Sequence, residues 1–229
     1  MSSTILAIEA SSETCSVALL CDDNVYQRLN DTPRGHANNI LPMINSVLDD
    51  AHIKSRDIDV IAVTNGPGAF TSVRIGVAVC QGLAAALNCP VISISSLAVL
   101  AYEAMQTSQT TAALVALDAR MDEVYFGAYC ISSTGLPEAI QADVVSKPCD
   151  LVLPPLTGAE LVSATGMGWQ VYTDDMSTTF SAYNLRKLSI LFPSATYLLE
   201  IAEKMYQLQQ FHNVRDLVPV YLRDNVVNG

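Results

Sequence analysis

The chain of 229 residues starts a β-sheet twice. Thr4 to Ala10 (TILAIEA) and Thr14 to Cys21 (TCSVALLC) are apolar, β-rich runs, and Ser11-Ser12-Glu13 between them has the length and polarity of a hairpin turn. After the polar stretch Thr107 to Thr111, the pattern returns. Ala112 to Asp118 (AALVALD) and Glu123 to Ile131 (EVYFGAYCI) flank a turn at Ala119 to Asp122. A chain that opens two hairpins in this way is read most economically as two α/β lobes, an N-terminal one over 1–106 and a smaller C-terminal one over 107–229.

Within the first lobe, Val25 to Asn30 reads as a third strand, and Gly35 to Ala51 as a helix with Ile40, Leu41, Ile44, Val47 and Leu48 at helical spacing. Ile58 to Thr64 is almost continuously hydrophobic, which suits a strand covered on both faces. The loop Asn65-Gly66-Pro67-Gly68 follows. Ser72 to Leu87 then reads as a helix rich in small residues (Gly76, Ala78, Gly82, Ala84, Ala85, Ala86), which lets another backbone come close at some cost in helix propensity. Val91 to Ile94 is a short strand and Ser96 to Gln106 a helix. Further on, Pro148, Pro154 and Pro155 break Val144 to Ser163, Ser194 to Leu208 is a helix, and Val218 to Leu222 is extended.

Half of the residues are apolar, enough for a sizeable core, and the formal net charge is −11. That charge argues against independent binding to nucleic acid, because such affinity comes largely from Lys and Arg neutralising phosphates. Six cysteines without CxxC spacing are read as reduced thiols. No apolar stretch reaches the ~20 residues of a membrane span, and the N-terminus lacks signal-peptide flanks, so a cytoplasmic protein without a membrane partner is expected. His36, His52 and His212 form no i, i+4 pair, so no metal site is expected, and no serine or cysteine sits in a GxSxG elbow.

Four ordered stretches carry a resemblance: LAIEASSETCSVAL, TNGPGAFTSVRIGVAVCQGLAAALNCPVISISSLAVLA, ALDARMDEVYFGAY and PVYLRDNV. Together they resemble the bacterial TsaB (YeaZ) family. The resemblance implies a two-lobed actin, sugar-kinase and heat-shock-ATPase-like (ribonuclease H-like) fold with a reduced second lobe. It implies a role in placing threonylcarbamoyl on the adenosine beside the anticodon of tRNA. The partners it implies are a catalytic paralogue, TsaD, and a small ATPase, TsaE, with a homodimer when the chain is alone and tRNA met only through the complex. By this resemblance the chain is a scaffold and activator with no catalytic residue of its own. The catalytic paralogue carries an HxxxH metal pair where this chain has Ser93 to Leu100, a stretch without side chains suited to a divalent metal.

In relatives of this fold the first hairpin turn wraps nucleotide phosphates. Here Ser11 and Ser12 supply hydroxyls but no glycine, and Glu13 adds repulsion. Nucleotide is therefore expected to bind weakly, as ATP or ADP, and only in the complex. Glu9 stands where active relatives often keep a metal-coordinating aspartate, and reads either as a remnant of that role or as a structural or interface residue. Asp118 reads either as a base or Mg²⁺ ligand or as a polar partner of Arg120 that fixes the turn. Gly166 and Gly168 resemble an adenosine-supporting turn, although a strand-to-helix turn needs glycine for its own backbone. These residues form a vestigial nucleotide cleft, and a working ATPase or small-molecule kinase is the alternative function.

The loop at Gly66, Pro67 and Gly68, with Thr71 or Ser72 capping the next helix, is read as positioning an interface helix, the alternative being phosphate contact at the helix N-terminus. The resemblance implies that Ile40, Leu41, Met43 and Ile44 on the first helix and Arg74, Ala78 and Gly82 on the second meet the equivalent helices of the paralogue, or of a second copy, across a pseudo-twofold axis.

Overall fold

Uninterrupted apolar strands need cover on both faces, and the first sheet has it. The computed structural model describes residues 3–31, 35–156 and 161–223. β1 (Ile5–Glu9), β2 (Cys15–Cys21), β3 (Asn24–Asn30), β4 (Val60–Thr64) and β5 (Val91–Ile94) form a sheet in the order β3-β2-β1-β4-β5. β1 is antiparallel to β2 and parallel to β4, and every residue of β1, β2 and β4 is buried. α1 (His36–Asp50) lays Ile40, Met43, Ile44, Val47 and Leu48 into the core at three- and four-residue spacing. α2 (Phe70–Leu87) joins β4 to its parallel neighbour β5 and buries Val73, Gly76, Val77, Cys80 and Ala84. It ends at Asn88, left-handed with φ +53°.

The second unit repeats this order. It contains α3 (Ser96–Ser108), β6 (Ala112–Arg120), β7 (Glu123–Ile131), β8 (Pro137–Ala139), β9 (Val144–Ser146), β10 (Val162–Thr165), α4 (Met167–Val171), α5 (Thr173–Thr179) and β11 (Leu185–Lys187). Its sheet runs β11-β10-β6-β7-β8, with β9 also on β7. The hairpin β6–β7 is antiparallel and β10 and β11 are parallel additions, so the directions match those of the first sheet as well. Phe126, Trp169, Met176 and Phe180 fill the core, with Phe126 and Phe180 stacked at 5.1 Å. The polar stretch read as an interruption is partly interior. α3 runs on to Ser108, and the hydroxyls of Ser108 and Thr110 meet Ser163 Oγ at 2.5 and 2.7 Å, which makes their burial affordable.

α6 (Ala195–Gln207) then returns to the first sheet. Ser194 caps it, accepting from Thr196 N, while Ala195 N donates to Ser16 Oγ at 2.9 Å. The two compact units are therefore Met1–Ser96 with Pro193–Pro219, and Leu97–Phe192 with Val220–Gly229. The division falls at Ser96/Leu97 instead of 106/107, and the lobes are not consecutive in sequence, because the apolar face of α6 is satisfied by the first sheet. Val218 to Leu222 forms no strand, and the tail after Arg223 lies outside the described residues.

Candidate functional site

On α2 most of the exposed residues fall in one row, with Thr71 and Ala85 exposed beside it. Phe70, Arg74, Ala78, Gly82 and Ala86 are all exposed and spaced four apart, forming one row inclined to the axis of the 18-residue helix, with Arg74, Ala78 and Gly82 on a common face. The guanidinium of Arg74 lies over the Phe70 ring, 3.5 Å from its centroid. At Gly82 an added Cβ would meet nothing within 4 Å among the described residues, so none of them requires glycine there. α2 is also long and apolar enough, by length and composition, to cross a membrane, and only 28 % of it is buried within the chain. Yet it is packed on the first sheet as the link between two adjacent parallel strands, with its exposed side reduced to small residues capped by the Phe70–Arg74 pair.

The first helix is a correction. Ile40, Met43 and Ile44 are core residues, at most 9 % exposed, packed with β2 residues in one apolar cluster, and only Leu41, at 48 %, faces outward. These apolar side chains are taken up by the sheet beneath. Thr71 is not a cap: α2 begins at Phe70 with Ala69 as N-cap and no side-chain cap bond. His36 is buried, its Nε2 3.1 Å from Thr14 O, and His212 Nε2 meets Ser93 Oγ at 2.9 Å.

The glycine loop is tied down at both ends. Asn65 N donates to Ile94 O, Ser96 N donates to Gly66 O at 2.9 Å, and Ala69 N donates to Ser11 O at 2.8 Å. Gly66 has φ +110° and precedes a cis Pro67, a backbone angle that a side chain resists. An added Cβ at Gly68 would lie 2.0 Å from Ser11 O. Gly68 thus permits the loop to close onto the hairpin turn, and the Ala69 N–H that a phosphate would need is already given to Ser11.

Ser11 is held from the other side by Glu9. Glu9 is fully buried, and its Oε1 accepts from Ser11 N at 2.8 Å, from Ser11 Oγ and from Thr64 Oγ1 at 3.3 Å, while Oε2 is buried without a partner among the described residues. Burial pushes the carboxyl up from 4.5 to about 7, against the pull of the Ser11 and Thr64 hydrogen bonds. Ser12, also buried, gives its hydroxyl to Thr14 O at 3.2 Å.

In the second unit, Asp118 and Arg120 form the polar pair weighed from sequence. Asp118 Oδ2 meets Arg120 at 2.9 Å, and Oδ1 accepts from Arg120 N at 2.9 Å and Tyr172 OH at 3.2 Å. Burial, and then the nearby Asp118 carboxylate, push the Tyr172 phenol up. This pair anchors a turn in which Arg120, Met121 and Asp122 all take left-handed φ near +60°. Gly166 (φ +104°) and Gly168 meet β6: added Cβ atoms would lie 2.2 Å from Ala116 O and 2.9 Å from Ala116 Cβ. Both glycines have a packing reason. Among the described residues no three His, Cys, Asp or Glu side chains gather as metal ligands.

Phe70, the N-terminal end of the α2 row, escaped the sequence reading, as did the Glu9–Ser11–Ala69 connection. The four-residue spacing of positions 70, 74, 78, 82 and 86 was the available signal, missed because the helix start was placed at Ser72.

Two sheets of one order, each opened by an antiparallel hairpin and flanked by helices, define an α/β protein of the actin-like, ribonuclease H-like class. Residues 30–228 match the family model TsaD, tRNA N6-adenosine threonylcarbamoyltransferase. The chain is 38% identical over 225 residues to the tRNA threonylcarbamoyladenosine biosynthesis protein TsaB of Escherichia coli K12, covering 97% of this chain and 95% of that one. To the protein of that name in Haemophilus influenzae it is 32% identical, covering 97% and 94%. The solved structure of YeaZ from Pseudomonas aeruginosa superposes with a TM-score of 0.86 at 36% identity, covering 96% of this chain and 100% of that one. The chain belongs to the TsaB family, within the wider group that the TsaD model describes.

Proposed function

We propose that this chain is the non-catalytic ordering subunit of the assembly that makes threonylcarbamoyladenosine in tRNA, and that it acts by pairing through the exposed stripe of α2 with its catalytic paralogue, TsaD. The observation that carries this reading is the line Phe70, Arg74, Ala78, Gly82 and Ala86 on a largely uncovered apolar helix. Exposed glycine costs an isolated helix about 1 kcal/mol against alanine, and close approach of a second backbone is the gain that offsets it. The biosynthetic role named for the Escherichia coli and Haemophilus influenzae relatives supports the pathway, and the match to the TsaD model supports the paralogy. A net charge of −11 favours tRNA held by the partner.

The ATPase reading loses support because its candidates are engaged elsewhere. Asp118 is spent on Arg120 and Tyr172, Glu9 and Ser11 on each other, and Gly166 and Gly168 on β6. On this reading TsaE joins the paired subunits, any nucleotide binds weakly and only there, and the free chain pairs with itself through the same stripe in the cytoplasm. The test is reconstitution: the catalytic paralogue with TsaE should modify tRNA when the wild-type chain is added and fail to do so with Ala78→Glu. Full modification with the folded Ala78→Glu chain would refute it.

A further inference from the structure

Glu9 lies on β1, away from the exposed stripe, yet it reaches α2 through a single residue. Its Oε1 accepts both the N–H and the hydroxyl of Ser11, and the carbonyl of Ser11 accepts from Ala69, the N-cap of α2. Gly68 closes on that same carbonyl so tightly that a Cβ would collide with it. A hydrogen bond and a close backbone approach thus join the Ser11 turn to the start of α2. We propose that Glu9 is the positioning residue for the α2 interface, holding the Ser11 turn and the loop before α2 in place while its carboxyl carries a proton and releasing them when the proton is lost. The proposal rests on the interface reading above.

The direction follows from the orphaned oxygen. Oε2 is fully buried and has no partner among the described residues, so an ionised carboxyl would leave charge there without a donor, whereas a neutral O–H without an acceptor costs less. Any conformation that lets Oε2 reach water relieves the charged form, and such an opening has to disturb Ser11. By linkage, the closed conformation then holds the proton more tightly than the opened one, so proton loss favours opening. The upward displacement of this carboxyl to about 7 agrees and puts the transition near neutrality.

Few other titratable groups face this place. From β2 comes the buried Cys15 thiol, pushed up by burial and also by the nearby Glu9 carboxylate. α1 turns His36 toward Thr14 in the same hairpin turn, and α6 turns only apolar residues inward. Glu9→Gln isolates the carboxyl from all of these, because the amide keeps an acceptor for Ser11 and cannot ionise.

The test uses the full chain. The Ala69 amide resonance should titrate with a midpoint near 7 in the wild type and stay flat in Glu9→Gln. The dissociation constant for the catalytic paralogue, taken as wild type relative to Glu9→Gln, should rise about fivefold or more between about pH 6 and about pH 8. Should Glu9→Gln not fold, Ser11→Ala serves instead: removing a donor that favours the ionised form moves both midpoints upward. Identical pH profiles in wild type and variant, with Ala78→Glu still abolishing pairing, would overturn the role of Glu9 and leave the interface standing. If Ala78→Glu pairs normally the interface reading falls, and an Ala69 resonance that does not titrate then overturns the positioning role as well.

Discussion

The guanidinium of Arg74 covers the Phe70 ring at 3.5 Å, one helical turn apart, at the N-terminal end of the exposed α2 stripe. The pair presents a flat, cationic and aromatic surface beside Ala78 and Gly82, and it directs Arg74 along the helix face. Arg and aromatic residues are the side chains that most often dominate binding energy at interfaces.

Arg74→Ala is accordingly expected to weaken pairing by about 1–2 kcal/mol while costing the monomer no more than ~1 kcal/mol. Dissociation constants and urea unfolding measured side by side check both numbers, and an unchanged dissociation constant would remove Arg74 from the interface.

Gly82 separates folding from assembly. Gly82→Ala should stabilise the monomer by roughly 0.5–1 kcal/mol, since a Cβ there meets nothing, yet loosen the pair by holding the helices apart. Gly82→Glu should abolish pairing without unfolding the chain. An alanine variant that gains stability and still pairs at full strength would mean that no backbone approaches Gly82.

Gly68→Ala is expected to cost about 3 kcal/mol, because the new methyl would meet the Ser11 carbonyl at 2.0 Å and backbone on both sides must shift. Thermal or urea unfolding measures this, and a near-neutral result would show that the loop and hairpin turn yield independently.

The stability of the chain should carry the signature of Glu9. The folded state holds that proton more tightly than the unfolded chain, so the favourable contribution is complete below 4.5, falls as pH rises and is gone above about 7. Relative to Glu9→Gln, the wild type should lose about 3 kcal/mol across that window. Urea titrations at several pH values would expose parallel curves if the carboxyl were not buried in this way.

Asp118→Asn should loosen the left-handed turn by about 1 kcal/mol through weaker bonds to Arg120 and Tyr172, and leave pairing unchanged. ATP turnover by the isolated chain that disappears in this variant would restore the kinase-like reading.

Much of this was legible in the sequence, for identifiable reasons. The hairpins, β4 and α6 announce themselves because buried strands are continuously apolar and an amphipathic helix repeats at three and four. The stretch from 137 to 193 hides β8, β9 and β11, three residues each, together with the short helices α4 and α5, below the length at which periodicity speaks. Ile40, Met43 and Ile44 show a second limit, since how much apolar surface a helix needs depends on the sheet that receives it. Glu9 shows a third: a carboxylate at the end of a strand reads alike whether it faces a ligand or, as here, a serine two residues on.

Light scattering on a sizing column, with the chain alone, with its catalytic paralogue, and with Ala78→Glu in place of the wild type, tests the central claim most directly. The expected result is a homodimer that gives way to a one-to-one pair with the paralogue, both lost in the folded Ala78→Glu variant. A wild-type chain that stays monomeric and leaves the paralogue unshifted would contradict the account.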